Sequence, residues 1–423
     1  MQIDQLAVTN FNGFDHREFA FNPNFNLLVG DNATGKTSVL DALSIALGSW
    51  FLGIRGYANA HGIDPDEVRV VAHPYRDIFS FEKQFPCTVE AHGLVMGKKL
   101  EWTRELGREG GRTSGDAKAI RAVASEAERK VRSGQEITLP LICTYGTERL
   151  WFEATHRESG KEKAAKGKLP SRLDGYRDCF DFTIQETALL DWIRAEVSAS
   201  QQRYEETIAI RAFKSAIVKC VEGADFLYYD ERYKDLVVKI KEYGLQLFQN
   251  LSDGQRIVLT LVGDLVRRAT TLNPNLADHV LDKTPGVVLI DELDLHLHPK
   301  WQRHVIHDLR TTFPSIQFIA TTHSPQLIGE ARPEEVIILE GQRAANPEQS
   351  YGMDSNWVLR HVMRADEREA SVKNELQEIE KLIANFDIEK AQGKIDQLRA
   401  EIGNHPDLVR LSARADRFAE RSR

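Results

Sequence analysis

Val29-Gly30-Asp31-Asn32-Ala33-Thr34-Gly35-Lys36-Thr37-Ser38 is the stretch that decides the fold. It contains G-x-x-x-x-G-K-[ST], the loop that wraps a phosphate. The apolar run Phe25-Asn26-Leu27-Leu28-Val29 reads as a buried strand entering the loop. Beyond it, Lys36 to Leu47 places Val39, Leu40, Leu43, Ala46 and Leu47 at helical spacing, with Gly48 where a C-cap glycine belongs. A loop turning onto a helix N-terminus aims free N–H groups and the positive end of the helix dipole at one point, so an anion sits there. Gly30 and Gly35 let the backbone close round a phosphate. Lys36 is expected to meet the β- and γ-phosphates, and the Thr37 hydroxyl to ligate Mg²⁺.

The rest of the chain supplies a second half for this site. Gly286-Val287-Val288-Leu289-Ile290-Asp291-Glu292 reads as a buried strand ending in two carboxylates, and Ser315 to Thr322 as another, ending at His323. In a parallel sheet the carboxyl ends of such strands converge on the rim that holds the phosphate loop. Asp291 is then expected to serve Mg²⁺, Glu292 to orient and deprotonate the attacking water, and His323 to polarise the γ-phosphate. Leu251-Ser252-Asp253-Gly254-Gln255-Arg256 precedes an apolar helix, with Ser252 placed as its N-cap.

The order of phosphate loop, Leu251–Arg256, Asp291-Glu292-Leu293-Asp294 and His323 resembles the ABC/SMC-type ATPases, and within them the compact AAA family that includes the ATPase part of OLD nucleases. The stretches LICTYGTERLW, LIDELDLHLHPKWQ and ATTHSPQLI carry the likeness, which covers most of residues 1–340. The tail from YGMDSNWVLRHVM onward is similar to Septu-type PtuA ATPases, including those attached to retrons. The resemblance implies an α/β fold of ABC P-loop type with a mixed sheet. It implies an ATP hydrolase in which ATP and Mg²⁺ lie at residues 30–38 of one chain and are closed over by Ser252, Gly254 and Gln255 of a second, head-to-tail copy. It also implies larger homo-oligomers built from such dimers, a separate HNH-type nuclease effector, and a role in anti-phage defence. The rival reading is an SMC-like ATPase that clamps DNA for repair or recombination.

Some residues depart from the pattern. Asp253 stands where the signature has its first glycine. The Q-loop role has no clear glutamine, and Glu148 is its candidate. About two hundred residues separate phosphate loop from signature, too few for a long coiled coil. Val336-Ile337-Ile338-Leu339-Glu340-Gly341 resembles the opening of a Toprim nuclease, but no Asp-x-Asp follows, so it reads as a last strand. His296, His298, His304 and His307 cluster; the reading is a loop and helix beside the nucleotide, with His296 and His298 facing the opposing subunit.

The 423 residues divide into an N-terminal ATPase lobe (1–172), a helical insertion (173–250), a C-terminal ATPase lobe (251–364) and a helical tail (365–423) that packs or binds a partner. Residues 49–84 look irregular, and Cys87–Ala91 with Lys99–Thr103 form a hairpin. Hydrophobic content of 42% with 28% charged residues describes an ordinary globular chain, and a net charge of −8 argues against a surface built throughout for nucleic acid. The basic run Lys161, Lys163, Lys166, Lys168, Arg172 reads as a solvated loop. No apolar run reaches membrane-span length, the N-terminus lacks a leader pattern, and the four cysteines form no C-x-x-C pair, which together predict a reducing cytoplasm.

Overall fold

The computed structural model describes residues 1–56, 61–76, 78–147, 169–181, 186–341, 343–366 and 369–421. The chain opens with strands β1 (Gln2–Phe11) and β2 (Phe14–Ala20), then β3 (Phe25–Val29), which runs into the phosphate loop and helix α1 (Lys36–Gly48). Two hairpins follow, β4 (Val70–Tyr75) with β5 (Ile78–Lys83) and β6 (Cys87–Val95) with β7 (Lys98–Leu106), then α2 (Lys118–Arg132) and β8 (Leu141–Tyr145). The middle holds α3 (Glu186–Arg203), α4 (Ile208–Cys220), β9 (Ala224–Asp230), β10 (Asp235–Ile240) and β11 (Gly244–Leu247). The second lobe runs through α5 (Asp253–Leu272), α6 (Val280–Lys283), β12 (Gly286–Ile290), α7 (Pro299–Gln302), α8 (Val305–Thr312), β13 (Ile316–Thr321), α9 (Pro325–Glu330), β14 (Val336–Glu340) and β15 (Arg343–Ala345).

Sheet order explains why distant motifs meet. The central sheet runs β15-β14-β3-β13-β12-β8, with every pair parallel except β14/β15 at the edge. β3, β8, β12 and β13 are buried along their whole length, which is why they read as continuous apolar runs. Because they are parallel, Gly30, Asp291 and Thr322 all leave the sheet at one rim. A second, antiparallel sheet, β2-β1-β6-β7, packs beside it. The buried Gln317 amide links the two, accepting from Ile3 N–H at 2.8 Å and donating to Ile3 C=O at 2.8 Å. α1 lies between these sheets and touches both. It is apolar nearly all round for that reason, and Trp102 Nε1 donates to its Ala46 carbonyl at 2.9 Å.

Three expectations are corrected. Gly48 does not cap α1 in a left-handed turn: it keeps right-handed angles (φ −56), and the chain continues into a 3₁₀ turn. Its missing side chain instead admits the His61 backbone, whose N would lie 2.9 Å from a Cβ there. The insertion is not helical throughout, since β9, β10 and β11 form an antiparallel meander after α3 and α4. The strand residues Leu227, Leu236, Val238 and Ile240 point inward and are buried, and the alternation in Phe226–Tyr228 is too weak to stand out among helical neighbours. Residues 70–83, read as irregular, form the β4–β5 hairpin.

The chain divides into two compact units, Met1–Ser355 and Asn356–Arg423. The second carries most of α10 (Ser355–His361) and then α11 (Ala370–Ala384), α12 (Ile388–Ile402) and α13 (Pro406–Arg421). It has its own core, with Ile379, Ile383, Ala391, Ile395, Leu408 and Ala415 fully buried. The break between α11 and α12 falls at Asn385-Phe386-Asp387.

Candidate functional site

The phosphate loop is held open by its two glycines. Gly35 sits at φ +91, and a Cβ there would run into the Phe14 ring; one at Gly30 would lie 2.7 Å from the Leu339 carbonyl. Lys36 is buried, and its Nζ donates to the Gly30 and Asp31 carbonyls at 2.8 Å each. Burial lowers its pKa, while the carboxylates of Asp291, Asp31, Glu292 and Asp294 work against that fall. The cation is thus kept at the floor of the loop with its charge supported from the facing strands.

A cleft of about 510 Å³ opens above it, walled by Asn32, Ala33, Thr34, Gly35, Lys36, Thr37 and Ser38 and by Phe14, Asp291, Glu292, Thr321 and His323. Gly30 and Asp31 do not line it and act through their carbonyls. Thr37 Oγ1 donates to Asp291 Oδ2 at 3.2 Å, joining the loop to the end of β12. These two hard oxygen donors, side by side at the cleft floor, suit Mg²⁺. Glu292 adopts φ +50, a strained conformation for a residue with a side chain, as the chain turns away from the sheet.

Thr321 was not singled out by sequence reasoning, yet it ties this corner together. Its hydroxyl donates to Asp291 Oδ1 at 2.5 Å and accepts the Glu292 N–H at 2.7 Å. Asp294 plays a parallel part for the histidine loop, accepting from Thr322 Oγ1 at 2.5 Å and from His323 N–H at 3.4 Å. Within a buried strand, threonines look like ordinary β-formers; only their position at the shared rim distinguishes them.

Ser252, Gly254 and Gln255 lie elsewhere. They line a separate cleft of about 1170 Å³ together with His296, His298, Lys300 and Trp301, and no wall residue is common to the two clefts. Ser252 caps α5 as expected: its Oγ accepts the Gln255 N–H at 3.4 Å, while Gln255 Oε1 accepts the Ser252 N–H at 3.1 Å. Gly254 must lack a side chain because Trp301 Cζ3 would stand 2.9 Å from a Cβ. One residue further, Gln302 accepts from Ser324 Oγ at 2.6 Å, next to His323. His304 and His307 do not line either cleft. Among the described residues no group of three or more His, Cys, Asp or Glu side chains is placed to hold a metal ion.

A buried ionic knot fastens α5 to the nucleotide sheet. Asp264 accepts from Arg268 Nε at 2.7 Å, from Arg267 Nη2 at 2.5 Å and from Tyr145 Oη at 2.8 Å. Burial alone would raise the Asp264 pKa, but the two guanidinium groups hold it well below the usual carboxylate range. The Tyr145 carbonyl in turn accepts the Asp291 N–H at 2.8 Å. Two carboxyls near α1 go the other way. Asp41, one turn after Thr37, is pushed up to about 6 by burial and by Asp291. Glu67 is pushed up to about 7 by burial, against the backbone hydrogen bond at Asp64 and with help from the charges of Asp41 and Asp64. Glu148 and the lysines at 161–168 lie outside the described residues.

Comparison with known proteins places the chain in a family. A family model described as "AAA domain" matches residues 5–222, and one described as "AAA domain, putative AbiEii toxin, Type IV TA system" matches residues 225–329. The chain is 32% identical to the Septu protein PtuA of Bacillus thuringiensis over 86% of its own length and 85% of that protein's. It is 25% identical to the Retron Ec83 probable ATPase of Escherichia coli, over 96% and 84% of the two chains. In fold it is similar to an SMC head solved bound to the C-terminal winged-helix domain of ScpA, with a TM-score of 0.50 and 15% identity, over 83% of this chain and 98% of that one. No helix among the described residues is long and apolar enough to cross a membrane. With an ABC/SMC-head P-loop fold and relatives at this level, the chain belongs to the AAA-domain ATPases, in the group that contains Septu PtuA and the retron ATPases, and it binds and hydrolyses ATP.

Proposed function

We propose that two copies of this chain bind ATP head to tail, and that the nucleotide state of the pair controls a separate effector nuclease in anti-phage defence. The observation that carries the reading is the separation of the two clefts: one chain holds both halves of a nucleotide site but does not bring them together. In the proposed pair the loop 30–38 wraps the phosphates of ATP, and Lys36 leaves its carbonyl partners to meet them. Thr37 and Asp291 hold Mg²⁺, which when bound neutralises charge on the phosphate oxygens. Glu292 takes the proton from the attacking water, and His323 donates to the γ-phosphate. Ser252 and the amides at Gly254 and Gln255, from the second copy, close over that phosphate.

Membership with Septu PtuA and retron ATPases supports the defence role and the separate effector, for which an HNH-type nuclease is the proposed class. Two measurements test it. Hydrolysis by the purified chain is expected to rise with the square of protein concentration at low concentration, and Glu292→Gln to slow single-turnover hydrolysis by about 10²–10⁴-fold while ATP still binds. First-order dependence across a concentration range in which sedimentation shows the chain passing from dimer to monomer, or equal rates for Glu292→Gln and wild type, overturns the composite site. Strongly salt-dependent DNA binding by the chain alone favours the SMC-like reading instead.

A further inference from the structure

Two features of the first unit are left unpartnered by the site just described. The first is the β4–β5 hairpin. In its register Val70 lies opposite Lys83, Ala72 opposite Phe81 and Pro74 opposite Phe79, so these side chains share one face. Phe79 and Phe81 are 65% and 69% exposed, and Ile78 at the tip is 69% exposed. A lone two-stranded hairpin cannot bury its own apolar face, and a contiguous exposed patch of this kind marks an interaction surface. The hairpin is rooted at the nucleotide rim: Arg69 N–H donates to Asn10 C=O at 2.9 Å and Asn12 N–H to Glu67 C=O at 2.6 Å, two residues before Phe14 in the phosphate-loop cleft.

The second is a cleft of about 470 Å³ between α3, α4 and the β9–β10 strands. Its floor is Ile193, Ile210, Phe213, Leu227 and Leu236, all buried, and its mouth carries Tyr204, 97% exposed, with Glu205 and Glu206. β10 connects this cleft to the signature cleft, since Leu236 lines one and Ile240 the other.

We propose that the β4–β5 hairpin of one copy seats Phe79 and Phe81 in the apolar cleft of a second copy. The inference rests on the head-to-tail reading, in which the phosphate-loop rim of one chain, where the hairpin is rooted, faces the signature cleft of the other, which β10 joins to the apolar cleft. Size and charge agree with it. A cavity of about 150 Å³ takes one benzene ring, so two phenyl rings need roughly 300 Å³ and the cleft has room for both. The mouth region is acidic on balance, with Glu205, Glu206 and Asp278 set against Arg211 and Lys214, and the exposed Arg76 at the hairpin tip brings the opposite charge to Glu205, whose side chain is 81% exposed and 3.9 Å from Arg211. Because knob and hole lie on different lobes, each pair of copies makes the contact twice, flanking both nucleotides.

Cross-linking tests this directly. The native cysteines Cys87, Cys143, Cys179 and Cys220 are buried, so background is low. Tagged Phe79→Cys chain is mixed with untagged Gln201→Cys chain, with ATP and the thiol oxidant diamide. A disulfide between tagged and untagged chains is expected in the mixture, and neither variant alone is expected to cross-link. Phe79→Glu with Phe81→Glu, both at exposed positions, is expected to weaken self-association at least about tenfold by sedimentation, with the melting temperature unchanged. Self-cross-linking of Phe79→Cys, absence of the mixed disulfide, or unchanged self-association of the double variant overturns the proposal. The order of hydrolysis in protein concentration is measured on the same samples. Second-order hydrolysis without the mixed disulfide removes the hairpin contact and leaves the shared ATP site; the disulfide with hydrolysis that stays first-order through the monomer–dimer transition seen by sedimentation does the reverse.

Discussion

Thr321→Val removes one hydroxyl from the corner where β12 and β13 leave the sheet, and little else. Thr321 is fully buried, and valine has nearly its shape. The hydroxyl makes two hydrogen bonds, donating to the Asp291 carboxylate and accepting the Glu292 amide. A hydrogen bond to a charged group contributes about 1.5–3 kcal/mol and a neutral one about 1 kcal/mol. If roughly 3 kcal/mol of this serves to align the two carboxylates, losing it slows the chemical step about 100-fold at 1.4 kcal/mol per decade. The assay is single-turnover hydrolysis with protein in excess over labelled ATP, with ATP affinity measured separately on the same protein. The expected outcome is a rate lowered by about 10–100-fold with affinity little changed, because the loop 30–38 is intact. Thr321→Ser keeps the hydroxyl and is expected to recover most of the rate, a recovery that a merely structural threonine does not predict. A folded Thr321→Val protein turning over at the wild-type rate refutes the argument, as does a serine variant as slow as the valine one.

Further outcomes follow from the same structure. Arg268→Met leaves the buried Asp264 with less compensation and is expected to cost about 3 kcal/mol, read as a clear drop in melting temperature, with Asp264→Leu added to it recovering part of the loss. Gly35→Ala asks a side chain to adopt φ +91 against Phe14, so binding of a fluorescent ATP analogue is expected to weaken by at least about tenfold; wild-type affinity contradicts the steric account. Glu67 keeps its proton in the folded chain up to about pH 7, whereas the unfolded value is 4.5. Its contribution to stability is therefore complete below about 4.5 and is lost as pH rises through about 7. Between pH 5 and 8 the melting temperature of Glu67→Gln, which cannot ionise, is expected to fall less than that of the wild type, and equal falls refute the assignment.

The parts of the chain that sequence reads well are those where one local pattern has one physical solution. Gly30–Ser38 between an apolar strand and a helix has few readings other than a phosphate loop, and Ile290-Asp291-Glu292 ends a strand too apolar to be anywhere but inside the sheet. Ser252 with Gln255 announces a helix start, and the cap is there. What sequence hides is set by three-dimensional neighbours. Thr321 matters because β12 lies beside β13, which no spacing encodes. Gly48 looks like a helix stop, yet its role comes from His61 passing close by. The meander β9–β11 carries Leu-Val-Val-Lys-Ile in the midst of helical sequence, and its strands become visible only through their pairing. The aromatic β4–β5 hairpin reads as loop because Pro74 and the glycines before it break the strand pattern, and its pairing becomes visible only in the structure.

The single turn of helix at residues 299–302 faces two ways. On one side Trp301 presses on Gly254 at the mouth of α5; on the other, Gln302 grips Ser324 beside the histidine. Those sides border two separate clefts of the same chain. Neither contact can therefore be altered by moving this turn without disturbing the other, and four residues tie the start of α5 to the loop that carries His323.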